Sequence, residues 1–306
     1  MKEQTGSREL GRLGIPPIGQ RYDLADRRLF LHRSGSGGPA VVFLPAAGAV
    51  GLDYLEVQRR VAEFTTAVLY DRGGTGWSDP VALPRTATEV ATELHALLRI
   101  AAVPGPYLLV AHGLGGAYAR RFAQLFPGEP AGLVAVESFA EDWDEYMPET
   151  LHLDRTPTAL PGRVQTALLR VLSKPFYKKM FAAWPPEVRA PLVAGHVTPE
   201  WMVNGAKERR SLPALRTELQ SGGPLPDVPL IALGALAADP GQRVGFSKQS
   251  ERELNASKNR LYTAMAAEVT HGEYRELPGA KHSTAQLDAP EEIVQAIRDV
   301  IAAAAD

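Results

Sequence analysis

The stretch from Tyr107 to Phe122 constrains the fold more than any other part of the chain. It begins with the apolar run YLLVA, turns at Gly113, and continues with small residues that include Gly115 and Gly116. This pattern predicts a buried strand, a tight turn and a helix packed closely against that strand. Because a fully apolar strand has two faces to cover, the unit belongs to a sheet with helices on both sides.

The same alternation of strands and helices runs through most of the chain. Further buried strands are predicted at residues 41–44, 67–70, 132–137 and 229–234, and a last strand at 274–277. Helical spacing of apolar residues is found at residues 52–64, 87–100, 251–267 and 290–304. A hairpin is predicted at residues 21–31. This alternation predicts an α/β fold with a mostly parallel central sheet flanked by helices.

The alternation is interrupted between residues 141 and 226. This part is helical in pattern and rich in Pro, Trp and charged residues, with no convincing strand. We therefore expect a core formed by residues 1–140 and 227–306, with residues 141–226 inserted as a helical cap, or lid. Such an insertion would lie above the carboxyl ends of the strands, where open α/β sheets bind ligands.

Composition restricts the possible partners. The 306 residues are 45% hydrophobic and 22% charged, which is typical of a soluble globular protein. The formal net charge of -2 gives no electrostatic basis for binding nucleic acid or an anionic membrane. No apolar run is long enough to cross a bilayer, and the N-terminal residues lack a signal-peptide core. We expect a cytoplasmic protein with a small-molecule substrate; its oligomeric state is left open.

Cysteine and histidine usage bears on cofactors. The chain has 0 Cys, which excludes disulfides and thiolate chemistry. Its 7 His include no H-x-H or H-E-x-x-H pair, so we expect no catalytic metal. No cofactor is expected.

Three motifs follow one another along the chain: YDRGGTGWS at residues 70–78, PYLLVAHGLGG at 106–116 and GAKHSTAQLDAPE at 279–291. In this order they resemble the turn after the fourth strand, the nucleophile elbow (G-x-S-x-G) and the histidine loop of the α/β-hydrolase superfamily. The resemblance covers nearly the whole chain and is strongest to esterase-like or lactonase-like members with a helical cap. It implies an α/β-hydrolase fold and activity on a small, largely apolar ester, lactone or related carbonyl compound.

The elbow departs from the family pattern at one position. Where the resemblance places the nucleophilic serine, this chain has Gly113. The elbow residue normally has a positive φ, which strains any residue with a Cβ, so glycine relieves strain there. Either Gly113 is native and the hydrolytic chemistry is altered or lost, or it replaces a serine in order to capture a substrate complex. The sequence does not separate the two.

The remaining catalytic groups are assigned through the resemblance. His282 is the candidate base, and an acid must orient its imidazole. Asp239, which follows the strand at 229–234, is the first choice for that acid. Glu137, at the end of the strand at 132–137, is the alternative, since a carboxylate at the end of a buried strand needs a partner.

The site also needs donors for a developing oxyanion, and a pocket. The backbone N–H groups of Leu114 and of Ala46 or Ala47 are expected to form the oxyanion hole. Four aromatic residues of the expected cap are candidates for the wall of an apolar substrate pocket. They are Trp143, Tyr146, Trp184 and Trp201.

Three other functions compete with hydrolysis. Non-hydrolytic acid–base catalysis by the same pocket would make the chain a lyase, cyclase, decarboxylase or isomerase, with His282 moving protons. Loss of the nucleophile also leaves a cavity suited to a small-ligand-binding protein without catalysis. A dinucleotide site would use Gly113 and Gly115 at a helix start and Glu137 on the ribose, but Tyr118 occupies the place of the third glycine.

Overall fold

The computed structural model describes residues 14–155, 159–239 and 247–305. Eight strands in these ranges form one sheet. The strands are β1 (Gln20–Leu24), β2 (Arg27–Ser34), β3 (Ala40–Leu44), β4 (Ala67–Tyr70), β5 (Tyr107–His112), β6 (Pro130–Val136), β7 (Leu230–Ala237) and β8 (Gly272–Lys281).

The strand order in the sheet is β1-β2-β4-β3-β5-β6-β7-β8. The first two pairs, β1 with β2 and β2 with β4, are antiparallel, and every later pair is parallel. The carboxyl ends of β3, β5, β6, β7 and β8 therefore meet at one edge of the sheet. Open parallel sheets bind ligands at this edge.

Helices connect the strands and cover the sheet. They are α1 (Leu55–Val61), α2 (Ala87–Ile100), α3 (Gly115–Leu125), α4 (Trp143–Tyr146), α5 (Arg163–Met180), α6 (Pro186–His196), α7 (Pro199–Arg209), α8 (Leu212–Gln220), α9 (Lys248–Ala266), α10 (Ala285–Asp288) and α11 (Pro290–Ala303). Within the described ranges, none of them combines the length and apolarity needed to cross a bilayer.

The core follows from the two-residue period of the strands. In β3, Val41 and Phe43 pack with α1 and α11 on one face of the sheet, while Val42 and Leu44 pack with α2 and α3 on the other. Helix α9 covers β6 and β7 on the α3 face. Both faces are covered, which explains why the central strands are apolar throughout.

This architecture confirms the predicted α/β-hydrolase fold, with local differences. The helix predicted at 52–64 is divided into a 3₁₀ turn at Gly51–Tyr54 and α1, because the Asp53 carboxylate accepts the N–H of Val50 and tightens the first turn. Strand β8 is longer than predicted. As the edge strand it exposes many of its side chains, so no apolar run marks it in the sequence.

Helices α4–α8 lie between β6 and β7 in the chain, and a buried ion pair ties them to the sheet. The guanidinium of Arg72, just after β4, contacts the Glu208 carboxylate of α7 at 2.5 and 2.9 Å, and both side chains are 2% exposed. Arg72 also donates to the carbonyls of Pro45 and Ala46, and Glu208 accepts the N–H of Gly48. The pair therefore fixes the loop after β3 from two sides.

Two glycines permit this approach. Gly205 lies one turn before Glu208 on α7, and a Cβ on it would come within 2.8 Å of the Gly48 Cα. Gly48 itself has a φ of +75°, which strains residues with a side chain. Backbone thus packs directly on backbone here, and Glu208 can reach Arg72.

We expect Glu208→Gln to lower the free energy of unfolding by about 3–5 kcal/mol, because it leaves the Arg72 charge buried and uncompensated. Glu273→Gln, which breaks a half-exposed pair with Arg275, should cost less than about 1 kcal/mol. Urea denaturation measures both. Equal losses would show that the buried pair does not anchor α7.

Candidate active site

The turn between β5 and α3 has the backbone geometry of a nucleophile elbow. Gly113 has a φ of +50°. Its N–H donates to the carbonyl of Val136 at 3.2 Å, and its own carbonyl accepts from Gly116 and Phe139 at 3.0 and 2.8 Å. These bonds hold residue 113 above the carboxyl ends of β5 and β6, at the start of a helix whose dipole points its positive end toward the turn.

The imidazole of His282 faces this turn. His282 follows β8 directly. A Cβ placed on Gly113 would lie 3.2 Å from His282 Cε1, 3.5 Å from Nε2 and 3.2 Å from the Ala46 Cβ. The Nε2 atom of His282 is therefore directed at the space that a side chain at position 113 would occupy.

Glu137 meets the other side of the same ring. Its Oε2 lies 3.5 Å from His282 Nδ1 and 2.7 Å from the Lys258 ammonium of α9. Its Oε1 accepts the N–H of Ala235 in β7 at 2.8 Å. A carboxylate accepts, so this geometry favours a proton on Nδ1 and leaves Nε2 free to accept one.

Burial and charge act on Glu137 in opposite directions. Burial alone raises the pKa of the Glu137 carboxyl, but the contacts with His282 and Lys258 outweigh it and lower the pKa below its ordinary value. The backbone of Glu137 also has a positive φ of 45°. A left-handed non-glycine residue costs on the order of 1 kcal/mol and is found most often at functional sites.

Asp239 lies near the same loop but contacts the next residue. Its carboxylate accepts from the backbone N–H of Ser283, at 3.2 Å, and from the Ser283 hydroxyl. These bonds hold the loop that begins with His282. The structure thus brings both acids named from the sequence to the histidine loop and places Glu137 against the imidazole; which of them acts in catalysis stays a prediction.

The histidine of the elbow motif, His112, connects three segments of the chain. His112 is buried, with its Nε2 2.8 Å from the carbonyl of His282 and its Nδ1 2.5 Å from the Tyr54 hydroxyl. A carbonyl only accepts, so Nε2 carries the proton and Nδ1 accepts from Tyr54. Burial, with the nearby His282 ring, lowers the pKa of His112 to about 3, so it stays neutral.

A cavity of about 380 Å³ opens over the elbow. Gly113, Glu137 and His282 lie on its wall, as do the three residues expected to provide oxyanion donors. The amides of Leu114 and of Ala46 or Ala47 stay the predicted donors of the oxyanion hole. The wall also has an apolar part, formed largely by helices α4–α8 and the segments beside them. It includes Phe139, Trp143, Leu153, Phe176, Met180 and Leu212.

Of the four aromatic residues expected in the pocket, Trp143 lies on this wall. Trp184 and Trp201 are instead buried in the main core, where the Trp184 indole donates to the carbonyl of Leu52 and Trp201 packs edge-on against Trp77. Tyr146 packs beside the α9 core. These three attach the inserted helices to the sheet, a task that residue type alone does not distinguish from lining a pocket.

The structure adds a histidine that the sequence did not single out. His196, at the end of α6, lies on the cavity wall with its Nε2 2.8 Å from the Asp53 carboxylate. Its ring stacks on Tyr177 and Phe181 and meets Trp201 edge-on. His196 and Asp53 are 143 positions apart in the chain, so no local motif could indicate this pair. No local motif indicates Lys258 either, because it lies 121 positions from its partner Glu137.

One group of side chains has the composition of a metal site. Ligand atoms of Asp144, His152 and Asp154 lie within 4.8 Å of one another. Asp144, however, is paired with Arg216 and accepts the N–H of Leu153. Its charge is already compensated by protein groups, so the cluster does not require a metal.

The buried His112 makes stability depend on pH. Its ordinary pKa is 6.5 and its pKa in the folded protein is about 3. At a pH between these two values, the unfolded chain therefore binds a proton at His112 that the folded chain does not bind. The free energy of unfolding must therefore fall as pH decreases from 6.5 toward 3. We expect a shallower fall in His112→Gln, measured by urea denaturation across this range. Equal slopes would show that His112 is not neutral in the folded protein.

Known proteins share this architecture. A protein called Cfl2 from Burkholderia cenocepacia superimposes with a TM-score of 0.66 over 92% of this chain and 94% of its own, at 17% identity. A thermophilic esterase from Thermogutta terrifontis gives a TM-score of 0.59 over 93% and 99%, at 16% identity. At such identities the likeness shows the fold.

Sequence comparison is more specific about family. An uncharacterised protein of Schizosaccharomyces pombe is 39% identical over 83 residues, which are 27% of this chain and 16% of that protein. The match thus spans a small part of the relative's length. The sequence model of the family described as "Alpha/beta hydrolase family" matches residues 41–296, which include the elbow, Glu137 and His282. The chain belongs to the alpha/beta hydrolase family.

Proposed function

We propose that this protein acts on a small, largely apolar ester, lactone or related carbonyl compound, with His282 as the general base. One observation carries the proposal: the Glu137 carboxylate lies 3.5 Å from His282 Nδ1, while Nε2 faces the empty side-chain position of Gly113 inside a cavity. An imidazole oriented by a carboxylate and aimed at a reacting position is the arrangement required for proton abstraction.

Glycine at position 113 excludes an acyl-enzyme there, because it has no hydroxyl to acylate. We propose that His282 instead takes a proton from a water molecule in that position, and that the water oxygen attacks the carbonyl carbon. The N–H groups of Leu114 and of Ala46 or Ala47 would stabilise the negative oxygen of the tetrahedral intermediate. The imidazolium then returns its proton to the leaving oxygen, giving an acid and an alcohol, or a hydroxy acid from a lactone.

Lys258 distinguishes this arrangement from a simple pair of histidine and acid. Its ammonium contacts the same Glu137 oxygen as the imidazole, at 2.7 Å. The lysine charge offsets part of the stabilisation that Glu137 gives to a protonated imidazole. Lys258 therefore also helps to hold the carboxylate in the position from which it orients the ring.

The shape of the cavity supports a small substrate. Its volume of about 380 Å³ is in the lower part of the range for small-molecule sites, and much of its wall is apolar. The helices between β6 and β7 provide most of that apolar wall. We propose that residues 141–226 act as the cap over the site, and that these helices select the substrate by shape.

Non-hydrolytic proton transfer is the second candidate, and His196 favours it. This histidine places a second pair of imidazole and carboxylate on the same cavity wall. Two such pairs suit removal and return of protons beside a carbonyl, with an enolate held at the elbow amides. Deuterium exchange into a carbonyl compound in D₂O, without ester cleavage, would distinguish this reaction from hydrolysis.

Restoring a nucleophile tests the proposed site. We expect Gly113→Ser to become labelled by a fluorophosphonate and to raise ester turnover by at least about 10³-fold, because its hydroxyl would lie beside His282 Nε2. The φ of +50° should make this variant less stable by about 1 kcal/mol. Gly113→Ala adds the same strain without a hydroxyl and should remain unlabelled.

The same background identifies the acid. Within the Gly113→Ser protein, Glu137→Gln should lower turnover by about 10⁴-fold, whereas Asp239→Asn should lower it much less. The reverse order would make Asp239 the orienting acid. A folded Gly113→Ser protein with neither labelling nor turnover would contradict the proposed site.

A further inference from the structure

Helix α5 turns its apolar side chains away from the protein. Four of them lie at the i, i+4, i+7, i+8 spacing of one helical face. Val164 is 85% exposed, Leu168 59%, Val171 69% and Leu172 64%. The one buried residue of the 18-residue helix is Thr166. Ordinary surface helices show the opposite arrangement, with the apolar face packed on the core.

The exposed apolar side chains of the protein are concentrated on α5. Six of the eight large apolar side chains that lie exposed in the described ranges belong to α5; the other two are Ile15 and Ile100. Isolated exposed apolar residues are normal, but a contiguous group marks an interaction surface. At a rise of 1.5 Å per residue, this surface extends from Val164 to Phe176 along about 18 Å of the helix.

The charge of α5 is equally one-sided. The helix contains five basic residues and no acidic residue, although the whole chain has a net charge of -2. Four of the basic residues follow one another at spacings of seven, four and four, so they form a stripe beside the apolar face. The five are Arg163, Arg170, Lys174, Lys178 and Lys179, and all are exposed.

We propose that the exposed face of α5 binds the surface of an anionic lipid bilayer. Apolar side chains would enter the interface between headgroups and acyl chains, while the basic stripe contacts negative headgroups. This combination characterises helices that lie in the membrane plane. The net charge of the whole chain favours no membrane partner, but that sum does not reveal the local excess of positive charge on α5.

Charge also argues against a second copy of this chain as the occupant. A twofold dimer places the same patch on both sides of the interface, so two α5 helices would bring ten positive charges together without an acidic residue from either helix. A lipid surface supplies the missing negative charge over the whole length of the helix.

The surface adjoins the cavity. Phe176, Tyr177 and Met180, in the last turns of α5, line the cavity over the elbow. A bilayer bound along α5 would therefore lie beside its entrance. An apolar compound dissolved in the bilayer would then have a short path to the site. This consequence rests on the proposed function, whereas the binding of α5 to a membrane does not.

Vesicle sedimentation tests the proposal without an activity measurement. The full chain is mixed with vesicles of phosphatidylcholine, or of phosphatidylcholine with phosphatidylserine, and the bound fraction is measured after centrifugation. We expect binding to the vesicles that contain phosphatidylserine, and weaker binding at high salt. Leu168→Gln with Leu172→Gln, and Arg170→Gln with Lys174→Gln, should each weaken binding at least about ten-fold.

Ile100→Gln is the matched control, since Ile100 is 49% exposed at the end of α2. It should bind as the unchanged protein does, and circular dichroism should show all variants folded. Three results would overturn the proposal: no binding to anionic vesicles, an equal loss in Ile100→Gln, or a dimer of the unchanged protein that the double leucine variant dissociates.

Discussion

The buried carboxylate of Glu137 is the group on which the candidate site depends. It accepts from the backbone of β7 and from Lys258 on α9, and it lies 3.5 Å from Nδ1 of the imidazole after β8, so one side chain joins three neighbouring elements. A buried charge needs such compensation, and each compensating group is thereby fixed in place. The residue takes a strained backbone conformation in order to lie there. The position of His282 over the elbow follows from this arrangement.

The opposite wall is held by a second set of buried polar contacts. Tyr54 and His112 connect the 3₁₀ turn at Gly51–Tyr54, the elbow and the histidine loop through consecutive hydrogen bonds. Arg72 and Glu208 fix the loop after β3 to α7. The amides near Ala47 and Leu114 are therefore placed by groups that do not themselves react, which is how a site keeps its geometry without a nucleophile.

Local patterns were sufficient to predict the fold and the segments that meet at the site. The strand, glycine turn and helix at residues 107–122 and the loop at His282 are contiguous in sequence, so their signals are readable. What the sequence could not show are contacts between distant positions. Glu137 and Lys258 are 121 residues apart, and Asp53 and His196 are 143 apart. The outward apolar face of α5 was hidden for another reason, because its spacing alone does not say which side faces the core.

The protonation of two neighbouring histidines tests the central claim most directly, that Glu137 orients His282 with Nε2 toward position 113. Nitrogen-15 chemical shifts of the imidazole rings, recorded at alkaline pH, report which nitrogen carries the proton in each neutral ring. We expect opposite tautomers: the proton on Nδ1 in His282, where Glu137 accepts it, and on Nε2 in His112, where the carbonyl of His282 accepts it. A proton on Nε2 of His282 would contradict the claim, because the ring would then have no free base facing Gly113.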